Sequence, residues 1–266
     1  MRTRIVLAGF ASALACAAMA IPAGAQASTT HGTFIPASTH SLLAKKNAAT
    51  SSLNWSGYAL SGSNINAVKS DFTVPSVSAL PPGFSSNWVG IGGYTTSDLI
   101  QAGTAQSSFP LLGDYHAWYE ILPAGETPIS NCVGDAACTV SPGDKMTVDI
   151  HETTTPGMWS ISMKNGTKWT YQITIPYAST KSSAEWIFEA PTLVVQTIPA
   201  NAGTSYFGQT STYTDGAGTH TIAQGPYDSI AMGPGLINEA TPSALAPNGQ
   251  SFNVCAYKQS CPAPTS

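Results

Sequence analysis

The stretch W-S-I-S-M-K-N-G-T-K-W-T-Y-Q-I-T-I, Trp159–Ile175, decides the fold class. Trp159, Ile161 and Met163 alternate with Ser160 and Ser162, and Trp169, Tyr171, Ile173 and Ile175 alternate with Thr170, Gln172 and Thr174. A period of two places each apolar set on one face of an extended strand. Asn165-Gly166 lies between the two runs and predicts a type I′ hairpin. Upstream, Met146, Val148 and Ile150 repeat the pattern against Thr147 and Asp149. Further strands are expected at Trp55–Leu60, Val68–Val74, Trp88–Ile91, Tyr115–Leu122 and Ala184–Phe188. Long amphipathic helical patterns and internal repeats are absent. Asn201–Gly218 and Pro234–Gly249, rich in small and turn-forming residues, read as loops. Many short strands between Gly, Pro and Ser clusters predict an all-β domain of two packed antiparallel sheets.

The N-terminus reads differently. Arg2 and Arg4, the apolar run Ile5–Ala20 and Ala23-Gly24-Ala25 form a secretory signal over residues 1–25. The apolar run falls short of the ~20 residues of a membrane span. No later segment is suited to span, so no membrane partner is expected after signal removal. Residues 26–52 carry His31, His40, Lys45 and Lys46 and no acid. Two readings stay open for them: a disordered leader, or a pro-segment whose positive charge docks on the domain as its inhibitor. The catalytic domain is expected over residues 53–266, as a monomer. From Ser51 onward six lysines and no arginine face fourteen acids, a formal charge of −8. That balance argues against nucleic acid, which draws on clustered Lys and Arg. So few bases also limit self-repulsion in acid, which suits an acidic, extracellular medium.

Four cysteines follow the signal, and three pairings are possible. Cys132 with Cys138 and Cys255 with Cys261 is the expected set, because each pair closes a small loop. No histidine stands near either pair, so no metal site is expected, and no cofactor. Disulfides agree with export.

Two polar residues sit in otherwise apolar runs: Gln101, closing Trp88–Gly103, and Glu189, ending Ser183–Glu189. A buried amide or carboxylate needs a partner or a role. Alternation puts Glu185, Ile187 and Glu189 on one face, and His116, Trp118 and Glu120 on another. Solvent exposure would explain these acids simply. Yet Trp88, Trp118, Tyr119 and Trp186 accompany them in a charge-poor chain, which suggests a ligand groove. Other catalytic systems fit poorly. There is no G-x-S-x-G elbow, Thr155 stands where His151-Glu152 would need its second histidine, and no D-T-G or D-S-G triplet occurs.

An ordered set of motifs makes the reading specific: Asn54-Trp55-Ser56-Gly57, Phe72-Thr73-Val74-Pro75, Trp88-Val89-Gly90-Ile91, Leu99-Ile100-Gln101-Ala102-Gly103, Ala117-Trp118-Tyr119-Glu120, Pro142-Gly143-Asp144 and Ala184-Glu185-Trp186-Ile187-Phe188-Glu189. The chain resembles the glutamic peptidases of the eqolisin family. The resemblance implies a sandwich of two curved antiparallel sheets, concanavalin- or jelly-roll-like. It also implies a catalytic dyad, Gln101 and Glu189, acting on polypeptide substrates as a secreted acid endopeptidase. Glu189 rather than Glu185 follows from motif position. Trp55, Trp88 and Glu120 map around the cleft, to which His116, Trp118 and Glu185 are added as face neighbours. Gly92 and His116 stand where fungal members carry aspartates, and the Trp88–Gln101 segment is one residue shorter, so pH optimum and substrate preference do not carry over. Two rivals remain. One is a β-glucan hydrolase using Glu185 and Glu189, although Ile187 interrupts its E-x-D-x-E pattern; the other is a sugar-binding sandwich.

Overall fold

A computed structural model describes residues 49–109, 115–192, 197–233 and 239–266. The expected signal and most of the expected leader, up to residue 48, lie outside the described residues. The strands are β1 Ala49–Ser52, β2 Trp55–Ser61, β3 Ala67–Thr73, β4 Phe84–Gly92, β5 Leu99–Ser107, β6 Tyr115–Ile121, β7 Thr127–Pro128, β8 Lys145–Glu152 and β9 Met158–Asn165. They continue with β10 Trp169–Pro176, β11 Ser183–Glu189, β12 Thr204–Phe207, β13 Thr212–Asp215, β14 Gly218–Thr221, β15 Tyr227–Met232, β16 Ala240–Pro242 and β17 Phe252–Ala256.

Pairing divides them into two layers. The first runs β7-β6-β5-β4-β11-β2-β15-β1 and is antiparallel except at its β15–β1 edge. The second runs β10-β9-β8-β3, and β3 then meets both β12 and β13. β12 continues through β17 to β16, and the pair Met232↔Ala240 ties β16 back to the first layer. The assembly is one continuous all-β sheet folded into two layers and not closed into a barrel.

Alternation explains the core. Ile91, Ile100, Trp186 and Phe188 from the first layer pack with Phe72, Val148, Ile150 and Phe207 from the second. The Trp186 indole N–H, buried among them, donates to the Lys69 carbonyl at 2.9 Å. The other face of the first layer carries its own apolar cluster, Trp55, Trp88, Leu99, Trp118, Ile187 and Ile230. Glu120, Glu185 and Glu189 share that face and are 3%, 0% and 4% exposed. Simple solvation therefore does not account for them.

Several expectations change in detail. Asn165 pairs with Trp169, so three residues join β9 to β10, and only Gly166 has a positive φ, 48°. A type I′ turn needs positive φ at both central residues, so the hairpin forms with a longer loop. The stretch expected as loop, Asn201–Gly218, contains β12 and β13 and the start of β14. Its Thr and Gly content gave no period-two signal; pairing with β3 and β17 makes it strand. β16 likewise lies inside the expected loop Pro234–Gly249. The sheet also takes in Ala49–Ser52, the last four residues of the expected leader. Both disulfides are paired as expected, Cys132–Cys138 and Cys255–Cys261.

Candidate active site

Sheet register builds the site. Across β11, β4, β5 and β6 one row reads Glu185, Gly90, Gln101, Glu120. The next reads Ile187, Trp88, Gly103, Trp118, and the one after that Glu189, Ser86, Ala105, His116. All of these residues share the face opposite the inter-layer core. Gly103 is required between the two tryptophans: an added Cβ would lie 2.1 Å from the Asn87 carbonyl oxygen and 2.6 Å from Trp88 Cβ. Gly92 and Gly93, with φ of 87° and 90°, turn the chain from β4 toward β5.

Gln101, Glu120, Glu189, His116 and Trp118 line one cavity together with Ser86 and Glu126. It offers about 30 Å³ to water centres, where one water needs ~10–15 Å³. Gln101 Nε2 donates to Glu120 Oε2 at 2.5 Å. The Trp88 indole N–H donates to Glu189 Oε2 at 2.7 Å, and Asn54 Nδ2 donates to Glu189 Oε1 at 3.2 Å. Trp55 stands edge-on to Trp88, ring centroids 5.0 Å apart, and so braces that donor. His116 Nε2 meets Glu126 Oε1 at 2.8 Å. Gln101 Oε1, Glu120 Oε1 and Trp118 Nε1 are buried and meet no hydrogen-bond partner among the described residues. Three unspent polar atoms thus belong to residues that line a space admitting water.

Burial dominates the electrostatics. It pushes Glu189 up to about 8; the Trp88 and Asn54 donors pull down, and the Glu120 and Glu126 carboxylates push further up. Burial likewise takes Glu120 up to about 7, opposed by Gln101 and the Glu126 backbone N–H and reinforced by the Glu126 charge. Glu185 is raised well above the carboxylate range by burial, and the nearby Ser183 hydroxyl opposes that rise. Glu185 does not line the cavity. It shares the row of Gln101 and Glu120 but stands two strands from Gln101, across Gly90, with Tyr94 and Asp98 of the β4–β5 connection among its charged or ionisable neighbours.

Residues 53–237 match the Peptidase A4 family. The chain belongs to this family, that of the glutamic peptidases. Among its Peptidase A4 relatives, Scytalidopepsin B of Scytalidium lignicola is 34% identical over 107 residues, 40% of this chain and 37% of that protein. Aspergillopepsin-2 of Aspergillus niger is 30% identical over 185 residues, 59% of this chain and 63% of that protein. The matches thus span less than two thirds of either relative's length. Scytalido-glutamic peptidase, solved with a transition state analog inhibitor, superposes with a TM-score of 0.62 over 76% of this chain and 98% of that one, at 20% identity. Aspergilloglutamic peptidase from Aspergillus niger gives 0.55 over 65% and 99%, at 23% identity. These likenesses bear on the fold.

Within this Peptidase A4 frame the structure brings Gln101, Glu189, Glu120, His116 and Trp118 to one cavity, sets Trp55 and Trp88 behind Glu189, and leaves Glu185 apart. Two residues escaped sequence reasoning. Asn54 stands in the N-W-S-G motif beside Trp55, and no periodicity of its own marks it. Glu126 stands in the turn Gly125–Glu126 after β6 with no pattern to mark it; only the hairpin brings it to His116.

Proposed function

We propose that this chain is a secreted endopeptidase in which Glu189 and Gln101 hydrolyse peptide bonds by direct attack of water. The observation that carries the reading is the meeting of a buried carboxyl, a carboxamide with an unspent oxygen and room for water in one cavity. Ionised Glu189 accepts a proton from a water that Gln101 Oε1 also holds. The water oxygen bonds to the scissile carbonyl carbon. Gln101 spends one N–H on Glu120 and keeps the second, which donates to the developing oxyanion. Glu189 then passes its proton to the amide nitrogen as the C–N bond breaks, releasing an amine and a carboxyl. General-base help contributes ~10²–10⁴-fold, and a single oxyanion donor ~10²–10³-fold.

The raised value of Glu189 modifies the acid-working part of the reading. A base must be ionised, and at about 8 Glu189 starts acidic turnover protonated. Donors of a bound peptide aimed at its oxygens favour the ion and lower that value. The pH profile of kcat/KM, which reports the free enzyme, then rises at higher pH than that of kcat, which reports the complex. The two disulfides suit the proposed export.

The test uses denatured protein and β-glucans as substrates, from acidic to neutral pH, in the presence of a pepsin-type inhibitor. Inhibitor-resistant proteolysis that is lost in Glu189→Gln and reduced ~10²-fold or more in Gln101→Ala supports the reading. Proteolysis surviving in Glu189→Gln, or glucan cleavage alone, refutes it.

A further inference from the structure

We infer that Ser52, on the last residue of β1, is a positioning residue for Glu189 acting through Asn54, and that the mature chain keeps β1. The inference rests on the catalytic role proposed for Glu189. β1 is the edge strand of the site-bearing layer, pairing in parallel with β15 from Ala49↔Ser229 to Ser52↔Met232. The Gly233 N–H closes the same corner by donating to the Ser52 carbonyl at 2.9 Å. Ser52 and Asn54 are 3% and 2% exposed.

The corner between β1 and β2 is held by one hydroxyl. Ser52 Oγ accepts from the backbone N–H groups of Asn54 at 3.3 Å and Trp55 at 3.1 Å, and donates to Asn54 Oδ1 at 3.2 Å. A carboxamide whose oxygen is engaged on one side must present its NH₂ on the other. That side is Glu189 Oε1, 3.2 Å away. Turned over, the same amide would set an oxygen against a carboxylate. The serine hydroxyl thus decides which end of Asn54 the glutamate meets, and a donor there favours the ionised glutamate that the proposed chemistry needs.

The consequence for maturation is direct. A leader removed up to residue 52 would take this hydroxyl and the β1 edge with it. Processing upstream of Ala49 leaves both. The basic residues Lys45 and Lys46 fall on the removable side of that boundary.

Ser52→Ala in the full chain lacking only its signal should move the ascending limb of kcat/KM to higher pH by ~1 unit, a drop of ~10-fold at a pH below the limb. KM should hold and kcat should fall. Ser52→Thr, which keeps the hydroxyl, should restore the profile. Among the described residues, the other titratable groups facing Glu189 are Glu120 and His116 on β6 and Glu126 in the connection after it; neither variant alters them. A folded Ser52→Ala with the wild-type profile overturns the positioning role. Independently of any variant, the N-terminus of the active secreted form should map at or before Ala49. An active form beginning at Leu53 or later, with an unshifted profile, overturns the inference. Activity surviving in Glu189→Gln would instead remove the reading on which it rests.

Discussion

Replacing Glu189 with Gln should weaken the pH dependence of this fold's stability. The folded carboxyl sits at about 8, against an ordinary 4.5 in the unfolded chain. Each tenfold in proton affinity is worth about 1.4 kcal/mol, so the gap corresponds to about 5 kcal/mol. Because the folded value is the raised one, the folded state keeps a proton that the unfolded chain has released. The contribution is therefore complete below 4.5 and is lost as pH rises through about 8. Glu120, at about 7 when folded, adds about 3 kcal/mol of the same sign. Asp98, Asp144 and Glu152 act oppositely: hydrogen bonds, and for the last two a lysine, hold them below their ordinary values. Their contribution is present above the unfolded values and is lost as pH falls through the folded ones. Stability should thus peak at about pH 4–5 and decline toward about pH 8. Net stabilities of ~5–15 kcal/mol make such a decline readily visible. Urea unfolding at about pH 4.5, 6 and 8 measures it. Wild type should lose about 4 kcal/mol more than Glu189→Gln between about pH 4.5 and 8, since each end of that range leaves one state half-titrated. Equal slopes for the two proteins, or a wild type that gains stability toward neutrality, would refute the reasoning.

Other outcomes follow from single contacts. Trp88→Phe removes the 2.7 Å indole donor to Glu189; kcat/KM at acidic pH should fall ~10-fold or more, with the ascending limb moving up, and an unchanged profile would show that this donor does not tune the base. Glu185→Gln should leave proteolysis intact and raise stability near neutral pH, because a fully buried carboxyl then has no charge to desolvate; abolished catalysis would return Glu185 to the site. Gly103→Ala should cost ~3 kcal/mol or more through its clash with the Asn87 carbonyl, and a variant melting with wild type would disprove the close approach.

Local alternation made most of the sheet legible. The runs at Trp159–Met163 and Trp169–Ile175 became β9 and β10 because every second residue is apolar and needs burial, while the alternate positions of β10 meet water. β12 to β14 were illegible for the opposite reason. Their Gly, Thr and Ser residues express no preference for a face, and the neighbouring strands supply the partner that makes them extended. Gln101 and Glu189 stood out because polar groups within apolar runs are costly. Glu126 did not, since an acid beside a glycine in a turn is unremarkable until His116 is found 2.8 Å away.

The chain's own residues determined which side chains share a face, because facing is a property of successive backbone dihedrals. Glu185 and Glu189 were bound to lie together by that rule, as were His116, Trp118 and Glu120. The rule is silent on what stands above and beside a face. Tertiary structure decided that Glu189 opens onto water-sized space between Gln101 and His116, while Glu185, four residues earlier on the same strand, is sealed near Tyr94 and Asp98. It also decided the proton affinities, since desolvation depends on every element that closes over a carboxyl, and those elements come from distant parts of the chain.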